Sequence, residues 1–243
     1  MAYIFTVASG KGGVGKSTFC VNAAVALART GKKVLIIDGD AGIRSLDILL
    51  GVDEILVYDW MDVVENYCTP EKAKLNFIDN ADLLPAPIVR PETLTAEAFG
   101  KMLNAYREDY DYIFIDAPAG LGQLVKIYAK NSDGGIIVAT PDEISARSAL
   151  TAGDELISIG IKEENLRLII NRFDGKAVKQ GKLLNIDEMI DKTYLRLLGV
   201  IPEERELMYS SVTSQALPEY SGAQTAFSNI AQRIIGKDAE LSI

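Results

Sequence analysis

The segment Gly10–Lys11–Gly12–Gly13–Val14–Gly15–Lys16–Ser17 constrains this chain more than any other. It matches GxxxxGK[ST] and lies between an apolar run, Tyr3–Ala8, and an alanine-rich helical pattern, Ser17–Ala28. Glycines in such a loop reach positive φ and allow close backbone approach, so successive N–H groups can converge on phosphate oxygens. The helix that follows adds its positive N-terminal end. In this arrangement Gly10 through Thr18 cradle the phosphates, Lys16 reaches the β- and γ-phosphates, and the Ser17 hydroxyl ligates Mg²⁺. The competing reading is an ordinary glycine-rich turn. Against it stand the complete motif, its flanks and the acidic loops downstream.

Short β-branched or aromatic runs alternate with helical patterns along the whole chain. Strands are expected at Tyr3–Ala8, Lys33–Ile37, Asp82–Leu84, Tyr112–Asp116, Gly135–Thr140, Leu166–Asn171 and Leu198–Ile201. Helices are expected at Ser17–Ala28, Thr93–Tyr106, Leu121–Lys130, Ser145–Ile159 and Ala223–Ile235. Continuous apolar runs such as Val34–Ile37 suit strands covered on both faces. The alternation predicts an α/β fold: a mostly parallel, twisted sheet with helices on both faces, in a single domain spanning residues 1–243. In such sheets ligands sit at the carboxyl ends of the strands. The phosphate loop, Asp38–Gly39–Asp40, Asp116–Gly120, Pro141–Asp142–Glu143 and Asn171–Arg172 all follow expected strands.

Composition narrows the chemistry. Histidine is absent, so catalysis rests on carboxylates, lysines, backbone amides and a bound metal. The net charge of −9 opposes non-specific binding to DNA or anionic lipid. Cys20 and Cys68 are isolated thiols without CxxC spacing, which fits a reducing cytosol and neither a disulfide framework nor a metal site. The start lacks a signal peptide's basic flank, and no apolar run approaches the roughly 18 residues of a membrane span. A cytoplasmic location follows as the expectation.

Asp38 and Asp40 flank Gly39 directly after an apolar strand. Facing a Mg-phosphate centre, one carboxylate can hold metal-bound water while the other orients the attacking water. Asp116, closing Tyr112–Asp116, reads as a Walker B carboxylate reaching Mg²⁺ through water, and Gly120 as the flexible point of a γ-phosphate switch. Each aspartate alone could instead cap a helix.

Lys11 carries further information. The form KGGxGK[ST] resembles the deviant Walker A motif of the MinD/ParA family, and the resemblance extends over nearly the whole chain. It implies a sandwich dimer formed on ATP, with Lys11 of each copy reaching the other copy's phosphates; the alternative is a solvated surface lysine. A cation supplied in trans would stabilise transition-state charge as an arginine finger does. By the same resemblance Asp38 belongs to the magnesium shell and Asp40 positions water. Asn171 reads adenine through its side-chain amide, unless it is a turn residue, and the Val200–Glu204 stretch around Pro202 supplies a second adenine contact. Arg172 stands where the guanine-reading NKxD signature needs lysine, which favours ATP over GTP.

Asp38–Gly51, DGDAGIRSLDILLG, resembles the MinD form of its segment, as do Leu84–Pro85–Ala86 and Gly199–Glu203. This implies a slow ATPase in division-site placement, with inhibitor and activator proteins as partners. Two features depart from the pattern. Ser45 stands where related proteins often have asparagine. The stripe Ala223, Phe227, Ile230 and Ile234 reads as a core-packing helix, and the tail after Gly236, KDAELSI, is too short and acidic to anchor on anionic lipid by the usual basic-plus-apolar mechanism. The alternatives are a related positioning ATPase of flagella, cargo or DNA without a membrane anchor, and a nucleotide-binding adaptor with negligible hydrolysis. The net charge weighs against DNA, and the cysteine placement against an iron–sulfur role.

Overall fold

The apolar runs pair side by side into one sheet. A computed structural model describes residues 1–205, 207 and 221–241. Among these, eight strands are β1 Tyr3–Ala8, β2 Val34–Asp38, β3 Leu75–Ile78, β4 Ala81–Leu84, β5 Tyr112–Asp116, β6 Gly134–Ala139, β7 Leu166–Phe173 and β8 Arg196–Pro202. Their order is β3-β4-β2-β5-β1-β6-β7-β8. Every neighbouring pair is parallel except β3 with β4. The central strands β1, β2, β5 and β6 are almost wholly buried, as continuous apolar strands under two helical layers should be.

The described helices are α1 Lys16–Arg29, α2 Ser45–Leu50, α3 Trp60–Val64, α4 Pro70–Ala73, α5 Ala96–Asn104, α6 Gln123–Lys130, α7 Glu143–Ile159, α8 Gly175–Lys179, α9 Ile186–Thr193 and α10 Gly222–Ile234. One face of the sheet is covered by Trp60, Phe99, Tyr106, Tyr128, Leu156 and Met189 from α3, α5, the segment after α5, α6, α7 and α9. The other is covered by α1 and α10, where Phe19 lies against Phe114 and Phe227. Ala223, Phe227 and Ile230 are buried there and Ile234 packs partly buried against them, so the terminal stripe is core packing. Of the tail after it, Ser242 and Ile243 lie outside the described residues.

Three expectations change. An additional strand, β3, forms an antiparallel hairpin with β4 through Asp79–Asn80, with Asn80 in the left-handed region at φ 65°. Its half-buried edge position gives only weak alternation to read. The helices α2, α3, α4 and α8, of four to six residues, are too brief for helical periodicity, and α9 is a further helix; Asp59 and Asn185 open α3 and α9 with reciprocal capping boxes. Asn171 does not end its strand: β7 runs on to Phe173, although the pairing with β8 slips between Ile170 and Phe173 and Arg172 takes φ 57°.

Candidate functional site

Parallel pairing of β1, β5 and β2 brings three loops together at the carboxyl edge of the sheet, because Val7 and Asp38 both sit opposite Asp116 in register. The phosphate loop leaves β1 and enters α1 with Gly13 at φ 75° and Gly15, the residue before the helix, at φ 97°. Gly10 is required for a different reason. A Cβ there would stand 2.3 Å from the Ser148 main-chain oxygen of α7. Lys16 is buried at 9% exposure, whereas the Lys11 side chain is 46% exposed, with its Nζ 3.8 Å from Asp142 Oδ1. Gly12 and Val14 complete the loop, the latter buried.

Asp38 and Asp116 are buried neighbours on adjacent strands. Asp38 Oδ1 accepts from the Asp40 N–H and Oδ2 from the Leu46 N–H, both at 2.9 Å. Burial nevertheless pushes the Asp38 carboxyl up to about 7, the Leu46 hydrogen bond opposing it. Burial also raises Asp116 to about 6, opposed by a hydrogen bond from Ser17 and by the Lys16 charge. Asp116 Oδ1 has no hydrogen-bond partner. Two adjacent buried carboxylates, one orphaned oxygen and the Ser17 hydroxyl form a hard-oxygen donor set, which fits Mg²⁺. Asp40 is more open; burial raises its carboxyl, while Lys16 and Arg90 pull it down.

Asn171 lies across the loop from β7. Its Nδ2 donates to the Val14 carbonyl at 2.7 Å and crowds Gly15, where a Cβ would stand 2.2 Å away. Its Oδ1 is buried and unpartnered, an acceptor available to an amino group. Pro202 ends β8 opposite Phe173 in register, two residues along from Asn171. Sequence and structure therefore place all the expected residues at one edge: Lys11, Lys16, Ser17, Asp38, Asp40 and Asp116 around the loop, Asn171 and Pro202 beside it.

Sequence reasoning missed the residues that hold this edge in shape. Trp60 Nε1 donates to the Asp38 carbonyl and Tyr128 Oη to the Gly39 carbonyl, each at 2.9 Å. Arg90 lies near both the Gly42 and Gly122 positions, its Nη2 4.0 Å from where a Cβ on Gly122 would stand, and its charge acts on Asp40. None carries a local motif. Cys20 is buried, its thiol raised chiefly by burial and also by Asp116, while Cys68 lies elsewhere, in the segment between α3 and α4.

Comparison with known proteins bears out the fold. The family model described as ParA, NUBPL iron-transfer P-loop NTPase, matches residues 1–235. The septum site-determining protein MinD of Bacillus subtilis is 34% identical over 252 residues, covering 100% of this chain and 92% of that protein. MinD in the MinC:MinD cell division complex of Aquifex aeolicus superimposes with a TM-score of 0.91 at 33% identity, over 100% of this chain and 99% of that one. MinD of Pyrococcus horikoshii, solved with Mg-ADP, gives a TM-score of 0.85 at 27% identity over 97% of each chain. The chain belongs to the MinD/ParA family of P-loop NTPases.

Proposed function

We propose that this chain is a MinD-like Mg-ATPase acting in septum-site placement, whose slow hydrolysis takes place in a site completed by a second copy. The observation that carries the reading is the contrast within one loop. Lys16 is buried beside Asp116, while Lys11 stands at the rim, 46% exposed and, among the described residues, paired with Asp142 at 3.8 Å. A rim cation so weakly held is available to the phosphates of another copy.

In this reading Gly10 to Thr18 bind the phosphates, and Ser17, Asp38 and Asp116 hold Mg²⁺ directly or through water. When bound, Mg²⁺ neutralises charge on the phosphate oxygens. Asp40 orients the attacking water, and the orphaned Asn171 Oδ1 accepts from the adenine amino group, with Pro202 against the base. The MinC:MinD relative makes a MinC-type protein the expected partner. A protein activator is inferred from the family resemblance alone.

Sedimentation with ATP, using the Asp40→Ala variant to block turnover, should reveal a dimer that ADP does not support. A monomer under every condition refutes the shared site. Co-pelleting with anionic vesicles in ATP then separates a membrane-cycling switch from a related positioning ATPase that works without lipid. Among the described residues, no helix is long and apolar enough to cross a membrane.

A further inference from the structure

We propose that the Ser45 hydroxyl joins Ser17 as a ligand to the magnesium ion, which ties α2 directly to the metal; this rests on the Mg-nucleotide reading above. The Ser45 and Ser17 Oγ atoms are 3.2 Å apart. That is long for a hydroxyl–hydroxyl hydrogen bond, which centres near 2.7–2.8 Å. It is close to the spacing of two cis oxygens on octahedral Mg²⁺, about 3 Å for bonds of about 2.1 Å.

The position of Ser45 is held from several sides. It is the first residue of α2, and Arg44 before it is turned into the left-handed region at φ 55°. The Arg44 N–H donates to the Asp40 carbonyl at 3.1 Å, and Arg44 Nε pairs with buried Asp47 at 2.8 Å. The Leu46 N–H is bonded to Asp38 Oδ2. The turn carrying Ser45 is thus fastened to both Asp38 and Asp40. Its hydroxyl extends an oxygen donor set already made of Ser17, Asp38 and Asp116. Asparagine, with a longer side chain, would not place an oxygen at the same distance from this backbone.

The test replaces Mg²⁺ with Mn²⁺ on ADP-loaded protein and counts bound waters by the broadening of the Mn²⁺ resonance in ¹⁷O-water. Ser45→Ala should admit one more water than the unaltered protein and weaken Mn²⁺ about tenfold. Ser45→Thr, which keeps a hydroxyl, should restore both values. ADP affinity in EDTA should be the same in all three proteins. An unchanged water count and Mn²⁺ affinity in Ser45→Ala, with ADP and Mn²⁺ both bound, overturns the ligand assignment alone. Failure of the unaltered protein to bind ADP overturns the Mg-nucleotide reading as well.

Discussion

Trp60 donates its indole N–H to the main-chain carbonyl of Asp38, bonding the chain's one tryptophan to the turn that bears Asp38 and Asp40. Nucleotide binding that shifts this turn must alter the indole's surroundings. Intrinsic fluorescence should therefore change on adding Mg-ATP and be lost in Trp60→Phe. That variant leaves the buried Asp38 carbonyl without its donor, a loss of about 1–3 kcal/mol measurable by urea unfolding.

Gly39 is enclosed just beyond this bond. A Cβ there would lie 2.6 Å from the Asp116 carbonyl oxygen and 2.8 Å from the Tyr128 ring. Gly39→Ala must push β2 and β5 apart where Asp38 and Asp116 converge. Calorimetric titration should show Mg-ADP affinity falling at least tenfold, whereas Gly31→Ala, remote from the loop, should leave it unchanged. Equal affinity in the two variants would show that the turn yields freely.

Asn171 joins the adenine side to the phosphate loop through its 2.7 Å bond to Val14. Asn171→Asp replaces the donor with a carboxylate facing a carbonyl. We expect the ATP KM to rise about 10-fold or more, as loss of a buried hydrogen bond would give, and kcat to change less. Steady-state kinetics checks this. A kcat defect at unchanged KM would contradict a base-binding role.

The metal-free protein should have an unusual response to acid. Burial places Asp38 at about 7 and Asp116 at about 6, above the ~3.9 of an unfolded aspartate. The folded state then holds protons that the unfolded chain releases. The resulting stability is fully present below about pH 4 and is lost as pH rises through the folded values of about 6 and 7. Asp111 and Asp142 shift downward and act oppositely, but only as pH falls below the ordinary carboxylate range. In EDTA the melting temperature should be higher at pH 5.5 than at pH 8, and Asp38→Asn should flatten the difference. A flat profile for the unaltered protein would count against two buried, unneutralised carboxylates.

Lys11 and Asp142 form a 3.8 Å pair across the rim of the site. Lys11→Ala should abolish turnover while sparing ADP binding. Asp142→Asn keeps the capping bond to Ser145 while removing the charge, so it should release Lys11 and raise the fraction of dimer at a given ATP concentration. Phosphate release reads the first and analytical ultracentrifugation the second, and no change in either variant would deny Lys11 a role between copies.

The sequence alone determined the parallel α/β sheet and the positions of Lys16, Ser17, Asp38 and Asp116. These are contiguous signals: glycine freedom at Gly13 and Gly15, apolar runs such as Val34–Ile37, and a carboxylate at each strand end need only local geometry to be recognised. It also singled out Lys11, and with it the family. Tertiary structure decided what holds the loops in place. Trp60 and Tyr128 lie 22 and 89 residues from the carbonyls they bind, and Asn171 lies 157 residues from Val14, so no local pattern could join them. The β3 hairpin edge and α4 were likewise set by packing, because four residues present too few positions for a period to emerge. The Ser17–Ser45 approach belongs to the same class. It depends on α2 being folded back onto Asp38 by the Leu46 N–H and on the parallel pairing through β5 that sets the end of β2 near the phosphate loop.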